Sequence, residues 1–344
     1  MRLLRNLLLP FVPLYYLITW SRNRLYDWRI LKSTEFATPT IVVGNLSVGG
    51  TGKSPMVEYM IRLLKDDMHL ATLSRGYKRS TSGYRLANEN DSAKTIGDEP
   101  FQFYSKFNDI LVAVDADRVN GIKQLLSNHN KPGLIILDDA FQHRKVKGGL
   151  NVLLTSYGDL YSNDILLPTG SLREPRSGAK RADVVVVTKC PDRLKDSERS
   201  AIKKSLRLSS SQPLVFSKIV YDSQLLNNHQ ESFKLSNLRE KKVVLVTGIA
   251  NPEPLVKYIE DQNVILEKHL AYPDHHDFSE NELKQLKRLE KDYFLLTTEK
   301  DFVRLKDEIS SLHYISIRTE FLAEDGKVFD TVIKKYLEEV RKHL

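Results

Sequence analysis

Short apolar runs alternate with amphipathic stretches over the first half of this chain. Residues 41–43, 70–74, 110–114, 133–139, 151–155 and 183–189 read as strands, apolar over most of their length. Helical patterning fills intervals between them, near residues 55–64, 101–107 and 119–127. Strands that lack an in–out alternation are buried on both faces, as in parallel sheets covered by helices. The expected fold is therefore α/β: a parallel sheet flanked by helices. Residues 79–95 are polar and turn-rich, and a hairpin is expected there.

The pattern changes after about Pro191. Residues 192–212 are charged and serine-rich, and 213–222 and 231–238 read as short strands of an antiparallel addition. Strand-and-turn character returns at 242–252 and 294–301, and a helix over 330–344 closes the chain. Three parts are expected: an N-terminal segment, 1–30; a core, 31–191; and a smaller second α/β lobe, 192–344. Residues 213–240 form a short β linker in this scheme, and the site lies in the cleft between the lobes.

The N-terminal segment stands apart. Residues 6–21 carry no charge, with Arg2 and Arg5 before them and Arg22 and Arg24 after. That is short of the roughly 20 residues a helix needs to span a bilayer, and Pro10 and Pro13 interrupt it. Tyr15, Tyr16 and Trp20 favour the membrane interface. No small-residue cleavage site follows, which speaks against a secretory signal. The expected arrangement is an interfacial helix, apolar side in lipid and arginines at anionic headgroups. A marginal spanning helix and a helix packed on the core are the alternatives.

Composition adds little to fold and something to partners. Of 344 residues, 41% are hydrophobic and 28% charged, as in a folded body. The single cysteine, Cys190, excludes an intramolecular disulfide. A formal net charge of +8 favours acidic partners. No basic stripe with interleaved aromatics points to nucleic acid.

The chemistry begins after the first strand. Ser47, Val48, Gly49, Gly50, Thr51, Gly52, Lys53 and Ser54 form a glycine-rich turn between a strand and a helix, the order a phosphate-binding loop requires. Glycines let the backbone approach phosphates, and the helix start aims free N–H groups at them. Lys53 supplies a cation for the outer phosphates and Ser54 a hydroxyl for magnesium. The usual pattern has Gly where Ser47 stands. The string from Val48 to Ser54 also looks like the variant loop of dimeric P-loop ATPases, which carry a second Lys at the position of Val48.

In such a protein the second half of the site is an acid at a strand end, here Asp138 and Asp139. Neighbouring strand residues point to opposite faces, so the two are expected to differ in role. Asp98 and Glu99 open a helix, where carboxylates are favoured, and follow a Gly that brings them towards phosphates. His275 and His276 diverge on an extended chain and lack metal-ligand spacing. One of them as a general base, or as its orienter, fits better than zinc.

Taken in order, these motifs resemble the tetraacyldisaccharide 4′-kinases of the lipid A pathway. The resemblance is carried by Val43-Gly44-Asn45-Leu46-Ser47-Val48-Gly49-Gly50-Thr51-Gly52-Lys53-Ser54-Pro55, Leu73-Ser74-Arg75-Gly76-Tyr77, Gly97-Asp98-Glu99-Pro100 and Asp138-Asp139-Ala140-Phe141-Gln142-His143. Leu172-Arg173-Glu174-Pro175, Pro273-Asp274-His275-His276 and Thr298-Glu299-Lys300-Asp301 continue it. Ala140-Phe141 stands where the family more often has Gly-Leu.

The resemblance implies transfer of the γ-phosphate of ATP to the 4′-hydroxyl of a lipid A disaccharide 1-phosphate. It implies a protein at the cytoplasmic face of a Gram-negative inner membrane, bound to that anionic surface, with no obligate protein partner. Asp98 is then the base, paired with His275 from the other lobe, with His276 as the alternative. Asp138, Asp139 and Glu174 are candidates for magnesium or its waters. Arg75, Arg118, Gln142, His143 and Arg173 are candidates for holding phosphates or sugar. Closure of the lobes is expected to bring Asp98 and His275 together. The competing classes are a membrane-associated P-loop ATPase or GTPase switch acting on a protein, and a nucleotide-gated scaffold. The absent second Lys argues against the switch, and the paired acids argue against the scaffold.

Overall fold

A computed structural model of the chain describes residues 7–229 and 231–343. The first described helix is α1 (Val12–Asp27). The first lobe continues through β1 (Thr40–Asn45), α2 (Lys53–Leu64), β2 (Leu70–Ser74), β3 (Arg85–Leu86), α3 (Ala93–Ile96) and α4 (Asp98–Lys106). Next come β4 (Leu111–Val114), α5 (Arg118–Ser127), β5 (Leu134–Asp138), β6 (Leu150–Ser156) and β7 (Val184–Thr188). Then α6 (Asp196–Leu206) leads into β8 (Leu214–Asn227), followed by β9 (Ser232–Lys234), β10 (Val243–Thr247), α7 (Glu253–Asp261) and β11 (Leu266–Ala271). The chain ends with α8 (Glu280–Leu289), β12 (Phe294–Thr298), α9 (Glu299–Leu305), β13 (Leu312–Phe321) and α10 (Asp325–His343).

The strands form one sheet in the order β11-β10-β12-β13-β8-β7-β6-β1-β5-β2-β4-β3, with β9 added to β8. From β7 to β4 every pair is parallel, as the apolar runs predict. Layers of buried aliphatic side chains cover both faces there. The expected hairpin within 79–95 is absent. Instead β3 pairs antiparallel with β4, and Ser92 caps the short α3.

The link between the lobes differs from expectation. Residues 214–227 make a single strand of 14 residues rather than the end of a turn-broken linker. Leu214, Val215 and Phe216 lie parallel to β7, and the rest of the strand runs antiparallel to β13. Asp222-Ser223-Gln224 has the composition of a turn. It is instead the poorly covered middle of a strand whose two ends are buried in different lobes.

The last helix is also displaced from the second lobe, to which its sequence position assigns it. Phe329, Ile333 and Leu337, one face of α10, enter the same core as Val43, Met56 and Phe103 of the first lobe. Tyr336 Oη accepts from Thr40 N at 3.1 Å and lies 3.2 Å from Thr40 O. The apolar stripe predicts an amphipathic helix, but it carries no information on which sheet face receives it. Phe329 is fully buried. Phe329→Ala is expected to lower stability by about 3–5 kcal/mol, read as a lower urea midpoint.

Helix α1 starts where its prolines permit. Pro13 sits in the first turn, where a missing N–H breaks no bond, and Pro10 lies in the preceding 3₁₀ turn. Val12 and Tyr15 pack on the first lobe and Tyr26 is buried. Leu7, Leu9, Phe11, Leu14, Leu17 and Ile18 face outward. No helix among the described residues is long and apolar enough to cross a membrane. Arg2 and Arg5 lie outside the described residues.

Candidate active site

The glycine-rich loop leaves the carboxyl end of β1, at the end of a parallel sheet where ligands commonly bind. Gly52 adopts φ +80°, a conformation open to glycine, and turns the chain into α2 with Lys53 as its first residue. Neighbouring segments hold the loop. Thr188 Oγ1 donates to Thr51 O at 2.8 Å, and Val48 N donates to Ser171 O at 2.8 Å. Ser47 is buried in a bridge to Leu172, whereas the Val48 side chain is exposed. Lys53 Nζ lies 3.5 Å from Asn45 Oδ1 and 3.8 Å from Asp139 Oδ1.

Asp138 and Asp139 have different surroundings, as strand geometry predicts. Asp138 is buried at the end of β5, and Ser74 Oγ donates to its Oδ2 at 3.3 Å. Its Oδ1 is buried with no partner in the protein. Burial, followed by the charges of Glu99 and Asp139, pushes its carboxyl well above the usual range. Asp139 turns away on a left-handed backbone, φ +47°. Arg173 grips it with Nη1 at 3.1 Å and Nη2 at 2.8 Å. Burial alone would raise the Asp139 carboxyl; Lys53 and Arg173 outweigh that and hold it low.

Glu99 completes this side. Its Oε1 accepts from Ser54 Oγ at 2.8 Å. Among the described residues no three His, Cys, Asp or Glu side chains form a protein-only metal site. A hydroxyl, a second carboxylate and an unpaired buried carboxylate oxygen nevertheless suit magnesium, which commonly takes the rest of its shell from phosphate and water.

The opposite wall comes from the second lobe. Gly97, at φ +96°, starts α4, and a Cβ there would sit 3.1 Å from Tyr77 O. Asp98 Oδ2 lies 2.8 Å from His275 Nδ1, across 177 residues of sequence. Burial favours a raised Asp98 carboxyl, but the His275 hydrogen bond and the nearby charges of Arg304 and Lys300 prevail and hold it below its ordinary range. His275 is itself left-handed, φ +56°, and its N–H donates to Gly248 O at 3.1 Å. His276 turns into its own lobe, 3.0 Å from Glu282 and stacked on Tyr272. The lobe closure expected from sequence is not needed to form the Asp98–His275 contact in this structure. Lys106, bound to Glu58 at 2.9 Å and Glu299 at 2.8 Å, ties α4 to both α2 and α9.

A family model described as tetraacyldisaccharide-1-P 4′-kinase matches residues 4–338. The chain belongs to this family. It is 50% identical over 341 residues to the tetraacyldisaccharide 4′-kinase of Flavobacterium johnsoniae, covering 98% of this chain and 99% of that one. It is 43% identical over 350 residues to the tetraacyldisaccharide 4′-kinase of Parabacteroides distasonis, covering 97% and 95%. The crystal structure of LpxK from Aquifex aeolicus in complex with ATP superposes with a TM-score of 0.79 at 31% identity, covering 97% of this chain and 99% of that one.

Glu174, a candidate for magnesium or its waters, has its carboxylate held by protein groups in this structure. Arg181 reaches it at 2.8 Å, and Gln142 and Asn23 each donate at 2.9 Å. It serves as a buried post that joins α1 to the loop after β5. The residue that meets Ser54 is Glu99, one position after Asp98. A helix turns about 100° per residue, so adjacent acids face different sides, one to the loop and one to the second lobe.

The remaining candidates are spread around this centre. Arg118 is buried, donates to Asp115 O at 2.6 Å and Asp138 O at 3.2 Å, and is pushed down to about 10 mainly by burial. Burial and then Arg118 push His143 down to about 4, so this imidazole is neutral at neutral pH. Arg75 is exposed at the end of β2. Gln142 Oε1, His143 Nε2, Arg173 Nε and Thr51 Oγ1 are buried with no partner in the protein. Buried polar atoms are normally paired, so this concentration within the family motifs marks where a polar ligand belongs. Lys300 and Arg304, which flank the Asp98–His275 pair, were not singled out from sequence. Only the presence of Lys300 in a family motif pointed to it.

Proposed function

We propose that this chain transfers the γ-phosphate of ATP to the 4′-hydroxyl of a tetraacyl-disaccharide 1-phosphate, a lipid A precursor. The observation that carries the reading is the 2.8 Å Asp98–His275 pair, contributed by two lobes and set beside a phosphate-binding loop. Loop N–H groups and Lys53 hold the β- and γ-phosphates and offset charge that builds during transfer. Asp98 takes the proton from the 4′-hydroxyl as its oxygen bonds to the γ-phosphorus and the bond to ADP breaks. His275 orients Asp98 and shares its charge. Ser54, Asp138 and Glu99 would hold magnesium, which would supply further neutralisation at the phosphates. Arg118, Arg173, Gln142 and His143 hold and orient phosphate or sugar, with Arg75 at the mouth.

The lipid arrives by way of α1. Tyr15 Oη donates to Arg173 O at 2.9 Å, Arg22 donates to Gln142 O at 3.1 Å, and Asn23 reaches Glu174. The protein-facing side of α1 thus rests on site residues, while its outward apolar side suits acyl chains and the interface. The chain works as a peripheral protein on the cytoplasmic face of a Gram-negative inner membrane.

The test supplies γ-labelled ATP, magnesium and a detergent-dispersed tetraacyl-disaccharide 1-phosphate. Label is expected in the lipid. Label released only as inorganic phosphate, at a rate indifferent to lipid, would support the ATPase-switch reading instead.

A further inference from the structure

We propose that Lys300 is a positioning residue that fixes the tautomer of His275, so that the imidazole presents Nδ1–H to Asp98 and keeps a lone pair on Nε2. The proposal deepens the base assignment above and rests on it for its catalytic consequence.

Lys300 Nζ lies 2.8 Å from His275 Nε2. An ammonium has three donors and no acceptor, so this hydrogen bond requires a lone pair on Nε2. The single proton of a neutral imidazole is then on Nδ1, where it donates to Asp98 Oδ2 at 2.8 Å. A doubly protonated ring would set N–H against ammonium, donor to donor. Asp274 Oδ1, 3.5 Å from Lys300 Nζ, supports the ammonium form. The aromatic edge of Tyr77 meets the same imidazole, with centroids 5.8 Å apart.

The surroundings are built to hold this order. Lys300 lies in the first turn of α9, whose cap is Thr298 accepting from Asp301 N at 3.1 Å. The fully buried Asp301 accepts from Gly248 N at 2.9 Å, and Gly248 O accepts from His275 N. One cluster thus fixes the backbone of both Lys300 and His275. His275 takes a left-handed backbone, φ +56°, and its N–H bond to Gly248 O holds it there. The result is a chain of donors, Lys300 to His275 to Asp98. It occupies one oxygen of Asp98 and orients the other for the acceptor hydroxyl. Histidine in the other tautomer would turn a lone pair to the carboxylate and lose that bond.

The test is ring-resolved NMR of the full chain with ¹³C,¹⁵N-labelled histidine, nine residues in all. The His275 signals are assigned by their loss in His275→Ala. The wild type is expected to show Nδ1 protonated and Nε2 bare, a measurement that needs no Lys300 variant. Lys300→Met is expected to leave Nδ1–H on Asp98, to let Nε2 take up a proton as well, and to lower kcat at least about tenfold with KM for ATP unchanged, and Lys300→Arg to restore both. A wild-type ring protonated at Nε2, or a Lys300→Met ring still bare at Nε2, would overturn the proposal. Failure of the base assignment shows differently: wild-type turnover in Asp98→Asn would remove it while leaving the tautomer result intact.

Discussion

Asp98→Asn lowers kcat by about 10²–10⁴-fold and leaves ATP affinity near its wild-type value. The amide matches the carboxylate in size, so α4 keeps its first residue and its packing. What is lost is the proton acceptor. A sugar hydroxyl is a poor nucleophile and must shed its proton as it attacks. The wild-type carboxyl is held below its ordinary range, so it is ionised and ready throughout neutral pH. Nucleotide binding depends on another wall, Gly52, Lys53 and Ser54, and is spared. Steady-state kinetics with titration of ATP binding on the same preparation checks both halves. A fall in ATP affinity that matches the fall in kcat would place Asp98 in the nucleotide site instead.

Lys53→Met is at least as damaging, with kcat/KM expected to fall by 10²–10³-fold or more, to order of magnitude. Lys53 is the first residue of α2 and faces Asn45 and Asp139 at 3.5 and 3.8 Å. These contacts are long for hydrogen bonds, which leaves the ammonium free to turn to a phosphate. Methionine keeps the stem and removes the charge, so ATP binding and transfer both suffer. The two variants therefore separate by their KM for ATP: near wild type in Asp98→Asn and raised in Lys53→Met.

The parts of this site differ in how far sequence reveals them. The loop is local. An apolar strand, glycines, Lys53 and an amphipathic helix follow one another within about two dozen residues, and each is a short-range signal. The parallel half of the sheet is legible for a similar reason, because its strands are apolar on both faces. The strands of the second lobe are harder. β11 carries Glu267, Lys268 and His269 at the sheet edge, and β13 mixes apolar and polar residues, so neither stands out as an apolar run. The C-terminal helix shows its stripe but not its address.

The Asp98–His275 pair is the extreme case. Nothing local links Asp98 to a histidine 177 residues away, and family resemblance rather than spacing proposed the pair. The surroundings of Glu174 are hidden for a related reason. An acid beside Arg173 in a polar loop resembles a ligand, and only the fold reveals that Arg181, Gln142 and Asn23 already surround it. Glu99 was visible as one of two acids at a helix start, but its meeting with Ser54 depends on how α4 packs against α2.

The central claim is that one acid from the first lobe and one histidine from the second act as a unit on the acceptor hydroxyl. The measurement that tests it most directly is a double-mutant cycle on labelled phosphate transfer to the lipid, using Asp98→Asn, His275→Ala and the two combined. Residues that act as a unit are strongly non-additive. The account predicts that the double mutant is no slower than the slower single mutant, with ATP binding intact in all three. Losses that multiply, or wild-type turnover in either single mutant, would contradict it.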